Sequence, residues 1–292
     1  MKRRLTILQR HLTAAPLFDL PPLNATYASE THPCYFPSSS YLQVPVVAIH
    51  SHTHNSQIIT FGLPSGRALN HAVSSCIMLQ DRNGNSKPYN PISSPTHVGS
   101  FSLLIKHSSE GTVSAFAGTL TLGDRVGFCQ FKGNIKSFQY PFDDVTQITM
   151  LATGTGITPL YQALVLLMDN TRSNPIQVRL ISGNATLGDV LLRKELLAMA
   201  ASSNGRLAVT FVVGSCSNTK TNKERTGTME KGWIDEEKVK RLAFSSLDPH
   251  SIVWICGTPS FYTAMAGSRF DPLTLDSVLF RLGYTDEQVW RS

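Results

Sequence analysis

The stretch LATGTGITPL, residues 151 to 160, sets Gly154 and Gly156 one residue apart, followed by Thr158 and Pro159 and flanked by apolar runs. Glycines at the end of a strand let the backbone approach a pyrophosphate and aim the N–H groups of the next helix at it. Pro159 stands where the third glycine of the common dinucleotide fingerprint would be, and proline suits the first turn of a helix. A tight strand-to-helix turn without a ligand explains the same residues. Cys256-Gly257-Thr258-Pro259 ends another apolar run, and two such turns at strand C-termini would face one crevice of an open α/β sheet. Cys256 either presents a thiol there or fills core space, as free cysteines commonly do. In a third segment, Lys87-Pro88-Tyr89-Asn90-Pro91, alternation along an extended chain would turn Lys87 and Tyr89 to one ligand; an exposed loop is the other reading.

The elements that must position these residues differ between the two halves of the chain. From Tyr41, short β-type runs (LQVPVVAIH, SQIITFGLP, SSCIMLQ, SFSLLIKH, DRVGFCQF) alternate with turn residues such as DRNGNSKP, which predicts an antiparallel barrel or sandwich. After Pro141, apolar runs alternate with helix-length amphipathic segments: QITMLAT with PLYQALVLLMDN, IQVRLIS with DVLLRKELLAMAA, LAVTFVV with IDEEKVKRLAF, and SIVWICG with a shorter helical stretch. That rhythm predicts βαβ units around a parallel sheet. The expected organisation is an N-terminal extension over residues 1–40, a β-barrel domain over 41–140 and an α/β Rossmann-like nucleotide-binding domain over 141–292. The boundary is expected near residues 136 to 146, and SCSNTKTNKERTGTME, 215 to 230, is expected as a surface loop. Residues 12 to 40, rich in Pro, Ser and Thr, read as a linker or wrapped arm.

At 292 residues the chain is comfortable for two cores, and 41% hydrophobic with 16% charged residues is globular. No apolar run is long enough to span a bilayer, so membrane contact is expected only through the N-terminal segment. Five scattered cysteines without CxxC or zinc spacing read as reduced thiols of an intracellular protein. The net charge of +6 owes much to Lys2, Arg3, Arg4 and Arg10, and no basic run interleaves with aromatics, which argues against nucleic acid. MKRRLTILQRHLTAAP lacks acidic residues and reads either as a mitochondrial presequence or as a basic tail of a cytoplasmic protein.

KPYN (87–90), GTVS (111–114), TGTGITP (153–159) and CGTP (256–259) occur in the order and spacing of the arginine-x-tyrosine-threonine/serine, glycine-x-x-serine, GGTGITP and CGPP motifs of NADH-cytochrome b5 reductases. The chain therefore resembles that family, within the ferredoxin-NADP reductase superfamily, from about residue 41 to the C-terminus. THNSQIITFGLP (53–64), GNATLGDVLLRKEL (183–196), GWIDEE (232–237) and LGYTDEQVW (282–290) extend the resemblance. It implies an FAD-dependent NADH oxidoreductase that passes hydride to the flavin and single electrons to a haem protein such as cytochrome b5, acting as a monomer without a metal. Carried over, Tyr89 lies along the flavin, Asn90 sits near its N5, and Lys87, Gly111 and Ser114 face its pyrophosphate. Thr155, Gly156 and Thr158 border the nicotinamide dinucleotide, and Cys256 flanks the nicotinamide. Asn90, Thr158 and Cys256 are thus the implied catalytic set. Further cofactor contacts are implied at Pro91, Ile105, Lys106, Thr112, Val113, Pro159, Gly257 and Pro259, and Asp189 is implied at the adenosine ribose, favouring NADH over NADPH. Asp189 also reads as a helix N-terminal residue, where negative charge is favourable in any case.

Several positions depart from the family pattern. Lys87 replaces an arginine fork, Asn90 a hydroxyl, Thr112 a basic residue, and Thr153 the first glycine of GGTGITP. These changes leave room for weakened flavin binding, so a divergent nucleotide-binding protein of this fold stays open, as does a reductase for a quinone or an iron–sulfur partner. His50, His52 and His54 in HSHTH would share one face of a strand; the resemblance assigns that strand no metal and makes His54 structural.

Overall fold

A computed structural model describes residues 34–108, 111–131, 144–168, 176–215, 223–224 and 227–292. The first unit contains β1 (Leu42–Thr53), β2 (Ser56–Gly62), β3 (Ile77–Gln80), β4 (Ser86–Tyr89), β5 (Ser100–Lys106), α1 (Thr112–Gly118) and β6 (Arg125–Gln130). Its strands form one antiparallel sheet in the order β4-β3-β6-β1-β2-β5. Just beyond β4, Pro91 bridges Leu103 of β5, so the two edges of the sheet meet. Inward residues of alternate positions fill the middle, where Phe36, Phe61, Phe101 and Phe128 are fully buried and ring centroids approach to 4.8 Å. Phe36 precedes the strands: Tyr35 N–H donates to Leu69 O and Pro37 O accepts from Gln130 N–H, making residues 34–37 a wrapped arm.

The second unit runs β7 (Gln147–Thr153), α2 (Ile157–Leu167), β8 (Gln177–Thr186), α3 (Arg193–Ser202), β9 (Leu207–Ser215), β10 (Lys223–Glu224), β11 (Gly227–Lys231), α4 (Glu236–Leu242), β12 (Ser251–Cys256), α5 (Pro259–Ala266), α6 (Val278–Arg281) and β13 (Val289–Arg291). The sheet order is β10-β11-β9-β8-β7-β12-β13, parallel except for β10. The central strands are largely buried and dominated by apolar residues because both faces are covered. Met150 and Ala152 join the core under α2 and α3, while Leu151, one residue out of phase, joins the core under α4 and α5. From β7 the chain winds outward through β8, β9 and β11, then returns to place β12 on the other side of β7. The switch in winding direction therefore lies between β7 and β12, where such sheets open a ligand crevice at the strand C-termini.

Two expectations need amendment. The segment read as a surface loop, 215–230, contains most of β11, whose Gly227 pairs with Val209; its short run was masked by polar neighbours. The histidines of HSHTH do not form an even row, because the register of β1 shifts between Ser51 and Thr53. His52 Nε2 accepts from Leu192 N–H at 2.9 Å. The expected domain boundary falls mostly outside the described residues.

Candidate active site

β7 ends at Thr153 and β12 at Cys256, and their tips touch. A Cβ added at Gly156 would lie 2.2 Å from Cys256 O, and one at Gly257 would lie 2.2 Å from Thr153 Oγ1. Both glycines are thus required by close approach of the two turns, whatever they bind. Thr153 Oγ1 also accepts from Thr258 N–H at 3.3 Å, so the residue in place of the family's first glycine stitches one turn to the other. Gly154, with φ +52, turns the chain from β7 into α2. Thr158 Oγ1 donates to Thr155 O at 2.9 Å within the first turn of that helix.

These turns form one wall of a cavity of about 770 Å³, and the barrel forms the other. Lys87, Tyr89 and Asn90 come from β4 and its end, facing Thr155, Gly156, Thr158, Pro159, Cys256 and Gly257 from the parallel-sheet unit. Among the described residues the cavity is lined by four cationic side chains, Lys87, Lys106, Arg269 and Arg291, and by no acidic side chain. Such a surface suits a phosphorylated ligand. Tyr89 is half-buried, its hydroxyl is buried without a hydrogen-bond partner, and burial pushes its pKa up to about 12. It is a neutral donor waiting for an acceptor. Asn90 donates both amide hydrogens to Ser74 O and Ser75 O, each at 3.0 Å, so its carboxamide is anchored within the barrel and leaves Oδ1 as its remaining polar group. The Cys256 thiol is pushed up to about 11 by burial and stays protonated, a soft neutral wall instead of a nucleophile.

A second cavity of about 290 Å³ adjoins the first, with Lys106 lining both. It is bounded by Gly154, Gly183–Ala185, Asp189, Trp233, Thr258 and Ser260. Lys106 Nζ lies 2.7 Å from Asp189 Oδ1, which also accepts from Asn55 Nδ2 at 3.0 Å. Oδ2 accepts from Thr186 Oγ1 and N–H at 2.7 and 3.2 Å. Burial works to raise this carboxyl's pKa, yet the bonds from Lys106, Thr186 and Asn55 outweigh it and hold the group well below the usual range. All four acceptor positions are therefore used inside the protein, and the expected ribose contact at Asp189 meets a filled carboxylate.

Other implied residues also fall elsewhere. The Ile105 side chain is wholly inside the barrel core, because β5 alternates and presents Leu104 and Lys106 to the cavity instead. Gly111, Thr112, Val113 and Ser114 line neither cavity: Val113 packs in the barrel, and Ser114 Oγ donates back to Gly111 O at 3.2 Å. Pro259 opens α5 at its first turn while its neighbours Thr258 and Ser260 reach the second cavity. Pro91 acts through its backbone, as bridge and acceptor. Sequence reasoning missed Arg269, Trp290 and Arg291 in the first cavity and Trp233 in the second. The sequence carried no signal for Trp233; the structure leaves it 67% exposed, an unusual place for a tryptophan.

A barrel joined to a parallel sheet, with a cationic crevice between them at the switch in winding, defines a two-domain flavin- and nicotinamide-dependent oxidoreductase. The comparisons agree: residues 43–140 match the oxidoreductase FAD-binding domain and residues 150–267 the oxidoreductase NAD-binding domain. NADH-cytochrome b5 reductase 2 of Yarrowia lipolytica is 30% identical over 247 residues, covering 82% of this chain and 81% of that one. NADH-cytochrome b5 reductase 2-A of Vanderwaltozyma polyspora is 29% identical over 271 residues, covering 90% and 88%. In fold, the cytochrome b5 reductase domain of Ulva prolifera nitrate reductase superposes with a TM-score of 0.72 at 22% identity, covering 89% of this chain and 100% of that one. The chain belongs to the NADH-cytochrome b5 reductase family.

Proposed function

We propose that this protein is an FAD-dependent NADH oxidoreductase that reduces a one-electron haem acceptor of the cytochrome b5 type. NADH gives up a hydride and becomes NAD⁺, and two acceptor molecules each take one electron as a proton is released. When bound, FAD supplies the conversion between the two-electron donor and the one-electron acceptor. The observation that carries this reading is the crevice itself: two glycine turns, four cationic side chains with no acidic side chain, and a buried phenol without a partner, all among the described residues, converge on it. Tyr89, Asn90 and Lys87 would hold the flavin side, where the Tyr89 hydroxyl would donate to the ligand. Thr155 to Pro159, Cys256 and Gly257 hold the nicotinamide side, where the N-terminus of α2 offers N–H groups to negative charge. Lys106 borders both cavities, so a dinucleotide spanning them would pass it, and the exposed Trp233 would offer an adenine a face on which to stack.

The preference for NADH is attributed to the Lys106–Asp189 pair as a unit. The carboxylate neutralises the one cation of the second cavity, which removes what a 2′-phosphate would need. The protein is proposed to act as a monomer, which light scattering of the purified protein tests. Among the described residues no helix is long and apolar enough to cross a membrane. The basic, acid-free stretch MKRRLTILQRHLTAAP supports mitochondrial import, tested by fusing residues 1–30 to a reporter. The absorption spectrum of the purified protein tests the central reading: it is expected to be yellow and to bleach under anaerobic NADH. A colourless protein that ignores added FAD would sink it. Stopped-flow reduction of cytochrome b5, against ferricyanide and quinones, tests the acceptor.

A further inference from the structure

Gln162 sits one turn beyond Pro159 on α2, is 4% exposed, and directs its side-chain hydrogen bonds across to the barrel unit. Its Oε1 accepts from Ser74 N–H at 2.7 Å. Its Nε2 donates to Pro91 O and lies 2.6 Å from His71 Nε2. A backbone N–H can only donate, so the oxygen end of the amide is settled at Ser74 and the amine end must face Pro91 and His71. His71 therefore accepts on Nε2 as a neutral ring, in keeping with burial that pushes its pKa down to about 3.

Two further links close a circuit. Ser74 Oγ donates to Pro159 O at 2.7 Å, and Asn90 Nδ2 donates to Ser74 O and Ser75 O. Ser74 holds a left-handed backbone, φ +62, a strained state for serine that persists where surroundings over-determine it. Here its N–H, C=O and hydroxyl are all engaged. Ser74, Asn90, Thr158 and Pro159 line the large cavity, and Gln162 lies directly behind them. An apolar side chain at 162 would leave Ser74 N–H without its acceptor, and it would lose the directional bonds that fix one wall relative to the other.

We infer that Gln162 is a positioning residue, which fixes the barrel wall at Asn90–Pro91 against the first turn of α2 and so sets the separation of flavin and nicotinamide. The inference rests on the proposed function, because only a reaction across the crevice is sensitive to that separation. Hydride transfer demands reacting atoms in near contact, and a displacement of about 1 Å costs on the order of a hundredfold in rate.

The test uses the full chain loaded with FAD. Gln162→Met keeps the length and removes the bonds; Ser74→Ala removes only the link to Pro159 O and stands in if the first variant does not fold. Val239→Ala, a core cut in α4 away from the crevice, controls for lost stability. The readouts are FAD content, NADH dissociation constant, melting temperature, and the rate of flavin bleaching in anaerobic single turnover with NADH and with NADH deuterated at the transferred position. Gln162→Met is expected to slow bleaching about ten- to a hundredfold, with a larger isotope effect and nearly unchanged FAD content and NADH affinity. Ser74→Ala should follow in the same direction, and Val239→Ala should lower the melting temperature without slowing the step. Parental bleaching rate and isotope effect in the folded variant overturn the inference, and so does an equal slowing in Val239→Ala. A wild-type protein that takes up no FAD, or is not bleached, overturns the proposed function instead.

Discussion

Lys106 in β5 of the barrel and Asp189 beside β8 of the parallel sheet are joined across the two units by a 2.7 Å ion pair, and Lys106 borders both cavities. The pair is a seam between the units and a charge-compensated strip where the two cavities adjoin. Asp189→Asn keeps the shape while leaving Lys106 without its counter-charge. It is expected to narrow the preference for NADH over NADPH several-fold, chiefly by improving NADPH. Asp189 is nearly buried but Lys106 is a third exposed, so the stability loss should be about 1–2 kcal/mol after allowance for solvent screening. Steady-state kinetics with both nucleotides decide the point: an unchanged ratio removes the pair from the specificity argument.

Trp233 is expected to matter for binding and little for folding. It is 67% exposed, and its ring packs only lightly, against the Gly214 backbone where an added Cβ would lie 2.9 Å away. Stacking a base on an aromatic ring is worth about 1–3 kcal/mol by alanine substitution. Trp233→Ala should therefore raise the KM for NADH about tenfold, with kcat and the melting temperature close to the parent. A KM that does not move places the adenine elsewhere.

The alternation of apolar runs with helix-length segments was enough to read both architectures, because a parallel sheet covered on both faces writes continuous apolar strands into the chain. The glycine turns were legible for the same reason: Gly156 and Gly257 answer a local steric demand where two strand tips meet. Asp189 was legible as important, but its ties to Lys106 and Asn55 were not, since those residues lie 83 and 134 positions away. Motif matching does not resolve strand alternation, so it did not show that the Ile105 side chain turns into the barrel core. β11 escaped notice because its neighbours in sequence are polar, while its pairing partner β9 supplies the apolar context. Gln162 carried no signal at all within a helix that is otherwise apolar.

The two glycine contacts differ in what stands opposite. An alanine methyl at 156 would meet the backbone of Cys256, which cannot rotate away, whereas at 257 it would meet side chains, Thr153 first and the Phe261 ring second. Gly156→Ala is expected to destabilise by about 1–3 kcal/mol, as overpacking does, and to slow flavin reduction by spreading the turns. Gly257→Ala should be damaging alone and partly rescued by Thr153→Gly, which removes the obstructing hydroxyl but leaves Phe261 Cδ1 2.8 Å from the added methyl. A double-mutant cycle on melting temperature reads the coupling. Additive effects at 153 and 257 would show that the methyl clashes with something else.

His71 ties the fold's stability to pH. It is 2% exposed, burial pushes its pKa down to about 3, and its Nε2 faces the Gln162 amine, which a protonated ring would repel. The unfolded chain keeps a histidine near its usual value of about 6.5, so between about pH 6.5 and pH 3 it binds the proton that the folded form refuses. Stability from this group is then fully present above about pH 6.5 and lost progressively as pH falls. The slope is about 1.4 kcal/mol per pH unit, or about 2 kcal/mol by pH 5. His71→Leu removes the titration while Gln162 keeps its bonds to Pro91 and Ser74. Urea midpoints at pH 7 and pH 5 should drop steeply for the parent and much less for the variant. Equal drops in both proteins would assign the acid sensitivity to other groups.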